Sequence, residues 1–319
     1  MRILNHDELS SDLEVDVQLL RLSVSWPPRD FHRMEQARKA GFPAPDYVGL
    51  YAVEDNRVVS TVRVVRLPFT FPDLRTETVS VIQSVITRRD CRGRGLAREL
   101  INRVNTRERE AGSKFSLLWT EHSLQAHQLY EHMGYRDVYT VDLAQRAPSR
   151  RAAASPNYAF RRVKDDDVAK VEQLHKTATQ GRIGFTPRNR GFLNSILKLG
   201  LDESHPLHLI LKEGVPVGYL ALEEAPSWVK VTEVVMEGGP TNTTSLIADL
   251  ERISVRRWLS IWNTFVRDSM PVLKSHRYVH GTGDRVLMSL PLESSLLLDQ
   301  ESLLGVTDPR FTCQALDYF

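Results

Sequence analysis

Apolar positions with a spacing of two alternate with apolar positions at helical spacing along the first half of the chain. "DYVGLYAVED" (46–55) and "RVVSTVRVVRLPF" (57–69) are rich in β-branched residues and predict two strands. Asp55–Asn56 between them predicts a hairpin. "TVSVIQSVIT" (78–87) predicts a third strand. A helix follows from about Gly95 to Ala111, with Leu96, Leu100, Ile101 and Val104 on one face and Gly112 as its stop. "KFSLLWT" (114–120) reads as a strand. "SLQAHQLYEHM" (123–133) reads as a helix with Ser123 as N-cap and Gly134 at its end, and "RDVYTVDL" (136–143) as a closing strand. Upstream, residues 13–40 have a helical pattern broken at Pro27–Pro28.

"AQRAPSRRAAASPN" (144–157) has small residues, two prolines and no buried periodicity, which predicts a linker over about 146–157. The second half then runs in a similar order. "NYAFRRV", "HLILKEG" and "VPVGYLALEEA" predict strands around helices at about 165–179 and 188–199. "WVKVTEVVMEGG" predicts a long strand, "TTSLIADLERISVRRW" a helix, and "LSIWNT", a helix near 265–275 and "RVLMSLPL" complete the order. The expectation is an α+β fold made of two copies of one unit, residues 1–145 and 158–319. Each copy is a mixed, mostly antiparallel sheet flanked by helices.

Length supports this division, since 319 residues is about two ordinary domains. A net charge of +2 gives no global attraction to nucleic acid or to a membrane surface. Two distant cysteines, Cys91 and Cys313, predict no disulfide framework and fit a reducing compartment. The acidic, polar start and the absence of a long apolar run predict a cytoplasmic protein.

The chemistry gathers in "RRDCRGRGLAREL" (88–100), a glycine- and arginine-rich junction between a strand and a helix. Backbone N–H groups in a first helical turn lack internal partners, and the helix dipole makes that end positive. Gly93, Gly95 and Ala97 let an anion approach the backbone, and Arg92 and Arg94 add charge. A P-loop would need Lys followed by Ser or Thr, and a dinucleotide fingerprint would need a small residue where Arg98 stands. What is left is Arg-x-x-Gly-x-Ala: Arg92, Gly95 and Ala97.

This pattern resembles that of the GNAT acetyltransferases. "SLQAHQLYEHMGY" resembles the family's second signature at Ala126, Leu129, Tyr130, Gly134 and Tyr135. The resemblance covers about residues 50–143. It implies that backbone groups of Val85, Ile86 and Thr87 pair with the pantetheine arm of acetyl-CoA. The N–H groups from Arg92, Gly93, Arg94, Gly95 and Leu96 to Ala97 would hold its diphosphate. Tyr130 would act as general acid toward the departing thiolate. Many members use a glutamate on the strand before the turn, whereas here Gln83 and Ser84 stand mid-strand. Glu77 and Glu121 could act through water, so the base stays open. A subset of multidomain members brings the terminal carboxylate to the acceptor, which adds Phe319. Mycothiol synthases are similar in length and layout, but their active copy is the C-terminal one. Here the corresponding second turn, "MEGGPTNTTS" (236–245), lacks arginine and carries Glu237 and Pro240, so the second copy is expected to have lost cofactor binding.

Other signals are weaker. His122, His127 and His132 recur every five residues, which spreads them around a helix, so no metal is expected. Cys91 reads as a partly buried structural thiol. The basic "RIGFTPRNRGF" (182–192) reads as a solvated loop or an acceptor-groove wall. The expected partners are acetyl-CoA, an amine-bearing acceptor (small molecule or protein) and a second copy of the chain. The competing reading is a non-catalytic acyl-CoA sensor.

Overall fold

Asp55 and Asn56 both take positive φ, 47° and 59°, the conformation of a two-residue hairpin turn. They join β2 (Tyr47–Glu54) to β3 (Arg57–Thr70), as the sequence predicts. The computed structural model describes residues 1–24, 47–149, 156–188, 191, 193, 206–236, 240–293 and 299–313. The predicted break at Pro27–Pro28, nearly all of the predicted helix 188–199, the turn residues 237–239 and Phe319 lie outside them.

The other strands are β1 (Arg2–Asn5), β4 (Thr76–Thr87), β5 (Phe115–Glu121), β6 (Arg136–Arg146), β7 (Ala159–Arg162), β8 (Ile183–Gly184), β9 (Leu207–Lys212), β10 (Val215–Ala225), β11 (Trp228–Met236), β12 (Trp258–Trp262), β13 (Val279–Pro291) and β14 (Phe311–Thr312). The helices are α1 (Ser11–Leu22), α2 (Leu96–Glu110), α3 (Gln125–His132), α4 (Val168–Ala178), α5 (Pro240–Ile253), α6 (Thr264–Ser275) and α7 (Gln300–Leu304).

All strands among the described residues belong to one mixed, mostly antiparallel sheet of order β1-β2-β3-β4-β5-β13-β6-β12-β11-β10-β9-β7, with β8 beside β3 and β14 beside β8. The order is symmetric about the antiparallel pair β13–β6. Next to β13 comes the parallel pair β5–β4, and next to β6 the parallel pair β12–β11. The long late strand β13 therefore fills the place between β5 and β6. In exchange, β6 pairs with β12. Each strand gives the other half of the chain a partner for an edge that would otherwise be exposed. The pattern of a single strand carries no trace of this exchange, because alternation reports a face and not a neighbour.

Helices cover both faces. Leu100, Ile101 and Val104 of α2 and Tyr130 of α3 pack on Val62, Val64, Ile82, Leu118, Val286 and Met288. On the opposite face α1 buries Leu13, Val17 and Leu20 against Tyr51, Val58 and Ile86. In the second half, Leu246 and Leu250 of α5 and Val266 and Leu273 of α6 cover one face, and Val171 and Leu174 of α4 the other. A buried carboxylate fixes α2 to the sheet. Glu108 accepts from Arg66 Nε at 2.8 Å, Arg66 Nη2 at 3.1 Å and Ser80 Oγ at 2.8 Å.

Four local expectations are corrected. Arg146, read as the first linker residue, is the last residue of β6 and pairs with Leu259 of β12. The helix read over 243–258 runs from Pro240 to Ile253, and Trp258 opens β12 instead. The helix read from Ser123 begins at Gln125 with Leu124 at the cap position, because the Ser123 hydroxyl donates to Asp284 of β13. Residues 182–188 of the basic stretch are not a solvated loop, since Ile183 and Phe185 are buried beside Phe69 and Phe311.

Candidate active site

The parallel ladder of β4 and β5 pairs Ser80 with Ser116, Val81 with Leu117 and Ile82 with Leu118. Beyond Ile82 and Leu118, β4 pairs with β3 and β5 pairs with β13. The two strands splay, and their facing edges turn backbone N–H and C=O groups toward a common gap. At the same level β4 is irregular. Ser84 takes φ 52°, and the register against β3 shifts between Thr61 and Arg63. Arg21 of α1, itself buried, donates to Ser84 Oγ at 3.3 Å and props the bulge. Val85, Ile86 and Thr87 continue the splayed edge, with Thr87 Oγ1 2.8 Å from Ser60 Oγ.

The chain then turns through Arg89–Cys91 and enters α2 at Gly95. The Arg88 N–H donates to Val59 O at 2.9 Å, and its guanidinium meets Asp16 at 3.2 Å, which fixes the end of β4. Gly93 and Gly95 have φ of 75° and 78°, a region that side chains disfavour, and a Cβ on either would meet open space. That space lies directly over the turn. The helix ladder opens with Glu99 N–H to Gly95 O at 3.0 Å, so the N–H groups of Leu96, Ala97 and Arg98 precede it. Cys91 and Leu96 are buried beneath the turn, whereas Arg92 to Gly95 are exposed. The two arginines differ: Arg94 is tied to Glu54 at 2.7 Å, whereas among the described residues Arg92 uses only Nε, to Thr87 O at 3.3 Å.

Tyr130 lies on α3, 6% exposed, with its ring 5.9 Å from that of Tyr135. Burial, with a smaller push from Tyr135, raises its phenol above the usual tyrosine range. Among the described residues its hydroxyl has no hydrogen-bond partner, whereas the Tyr135 hydroxyl is held by Asn105 at 3.0 Å and Ser116 at 2.7 Å. Gln83 lies one residue past the last β4–β5 pair, and both its side-chain polar atoms are shielded and unpaired among the described residues. Glu77 is taken up by Lys114 at 2.7 Å. Glu121 ends β5, exposed, opposite Arg285 of β13.

The second half has its own splay. β11 and β12 pair in parallel up to Val231 and Ile261. A cavity of about 400 Å³ lies beyond, lined among others by Val234, Met236, Thr243, Thr264 and Ser269. Within this half Arg188 bridges to Tyr219 Oη at 2.9 Å and to the buried Glu233 at 3.1 Å. No single residue type announces these buried charges in the sequence.

A splayed parallel pair, a glycine turn opening a helix and a buried tyrosine on the next helix thus lie together in the first half of the chain. Residues 12–135 match the model of the acetyltransferase (GNAT) family. No curated protein matches the sequence. Three solved structures share the fold over most of the chain. A GCN5-related N-acetyltransferase from Kribbella flavida is 19% identical with a TM-score of 0.60, over 91% of this chain and 72% of that one. A probable N-acyltransferase from Enterococcus faecalis V583 gives 12% and 0.62, over 93% and 74%. A GCN5-related N-acetyltransferase from Anabaena variabilis gives 14% and 0.61, over 92% and 73%. Among the described residues no helix is long and apolar enough to cross a membrane.

Proposed function

We propose that the chain transfers an acetyl group from acetyl-CoA directly to a primary amine, and that the N-terminal half carries the reaction. One observation carries the reading: the β4–β5 splay, the Gly95-opened helix and Tyr130 all belong to one half and sit on one connected run of elements. Bound acetyl-CoA supplies an activated thioester and a thiolate leaving group. The N–H groups of Arg92, Gly93, Arg94, Gly95, Leu96 and Ala97 hold the diphosphate, and the edge at Val85, Ile86 and Thr87 holds the pantetheine arm. Arg92 supplies the freer positive charge.

Tyr130 keeps its proton in the resting state, because burial disfavours the phenolate. As the thiolate develops, the same dry surroundings raise the thiolate's basicity, and Tyr130 donates to it. The acceptor must arrive as the free amine, since an alkyl ammonium has a pKa of about 10.4. Glu121 acting through water is the base candidate. The C-terminal half serves as scaffold and acceptor wall, giving β13 to the active half. Thiol release from acetyl-CoA with a panel of small amines, amino acids and peptides tests the reading.

One observation favours a second reading. Gln83 stands where a carboxylate base would be expected and cannot take a proton, which suits an acyl-CoA sensor. Acetyl-CoA binding without thiol release toward any amine would select it.

A further inference from the structure

His122 and His127 do not spread around one helix, contrary to the spacing argument. His122 lies in the turn after β5, ahead of α3, while His127 lies on the helix. Their rings therefore meet, with centroids 4.9 Å apart, and Asp137 of β6 joins them. His122 Nε2 is 2.9 Å from Asp137 Oδ2, and His127 Nε2 is 2.9 Å from Asp137 Oδ1. One ligand atom from each residue lies within 4.8 Å of the others. His132 sits exposed on α3 and takes no part.

We propose that His122, His127 and Asp137 bind a divalent transition-metal ion of the zinc class. Two imidazole nitrogens and one carboxylate oxygen are a donor set for zinc, which takes a water as fourth ligand in open sites. Ligands about 2.0–2.2 Å from zinc in a tetrahedron stand roughly 3.3–3.6 Å apart, so the two 2.9 Å Nε2–Oδ contacts need open by less than an ångström to admit a shared ion. The outer groups add independent support. A metal-bound histidine nearly always gives its second ring N–H to a carboxylate, a backbone carbonyl or a water. Here His127 Nδ1 faces Glu131 Oε2 at 3.5 Å, and His122 Nδ1 faces Asp284 Oδ1 at 3.9 Å. Both rings thus direct Nε2 inward and present Nδ1 to an acid. On binding, each neutral ring keeps its proton on Nδ1 and gives the Nε2 lone pair to the ion. Solvent reaches the site, because His122 and Asp137 are exposed while His127 is buried.

Such an ion would pin the β5–α3 turn, α3 and β6 together, with β13 joined through Asp284. These are the elements that hold Tyr130. The inference does not depend on the acetyl-transfer reading.

The test is calorimetric titration of the chelator-treated full chain with Zn²⁺, alongside Mg²⁺. Expected are one Zn²⁺ per chain, a raised melting temperature and no Mg²⁺ response. His122→Ala and Asp137→Asn should each lower Zn²⁺ affinity by tenfold or more, Glu131→Gln by about tenfold, and His132→Ala not at all. Absence of stoichiometric binding to the wild type overturns the site. So does binding that survives both His122→Ala and Asp137→Asn, or that His132→Ala abolishes. X-ray absorption of the zinc-loaded wild type needs no variant to fold: two imidazole ligands support the site, and one or none overturns it.

Discussion

Ile82 and Leu118 are the last partners in the parallel ladder between β4 and β5. Past them, Trp119, Thr120 and Glu121 are held by β13 alone, through Leu287, Val286 and Arg285. One wall of the proposed donor cleft is thus fixed by a strand more than 150 residues further along the chain.

That dependence makes the halves inseparable. A fragment of residues 1–149 lacks β13 and leaves both β5 and β6 with open edges. It is expected to aggregate or to show no cooperative thermal transition in circular dichroism. Cooperative unfolding of a soluble, acetyl-CoA-binding fragment would contradict the role given to β13.

Gly95→Ala separates strain from contact. A Cβ at Gly95 meets open space, so the stability cost is the backbone's alone, about 1–2 kcal/mol at φ 78°. Urea unfolding should read that loss. Acetyl-CoA affinity should fall by roughly tenfold in addition, if the methyl intrudes on the diphosphate and one backbone hydrogen bond of about 1.4 kcal/mol is lost.

Tyr130→Phe removes one hydroxyl and keeps the packing against Tyr135. Turnover should fall by roughly a hundredfold, the scale of general-acid catalysis, while acetyl-CoA affinity stays within a factor of about two. An unchanged rate would take Tyr130 out of the reaction.

Acid should destabilise the fold through His175. His175 is buried between Tyr219 Oη at 2.7 Å and Thr186 O at 2.9 Å. Burial, with Arg188 nearby, lowers its pKa to about 3, against about 6.5 when unfolded. Below pH of about 6.5 the unfolded chain binds a proton that the folded chain refuses. Stability from this group is therefore complete above that pH and falls by up to about 1.4 kcal/mol per unit on acidification toward 3. Denaturant unfolding at pH 7, 6 and 5 should show the slope, and His175→Gln should flatten it.

How legible the site was depended on whether its parts are local. The hairpin at Asp55–Asn56, the glycine turn and α2 were readable because turn chemistry and helical spacing act over a few residues. The splay was not readable, because it is a relation between Ile82 and Leu118. Ser123 was misread as a cap because its partner, Asp284, is 161 residues away. The histidine spacing misled for a similar reason: the helix starts at Gln125, so the geometry of a helix does not govern His122. Strand exchange lies wholly in tertiary pairing, where local patterns are silent.

The central claim is that acetyl-CoA is held by the N-terminal splay and glycine turn. Hydrogen exchange with and without acetyl-CoA tests it most directly. Slowed exchange should appear in residues 83–97, centred on the N–H groups of Leu96 and Ala97, with residues 234–236 and 264–272 unchanged. Protection around the second-half cavity at Val234–Met236 and Thr264–Val272, with none over 83–97, would contradict the account.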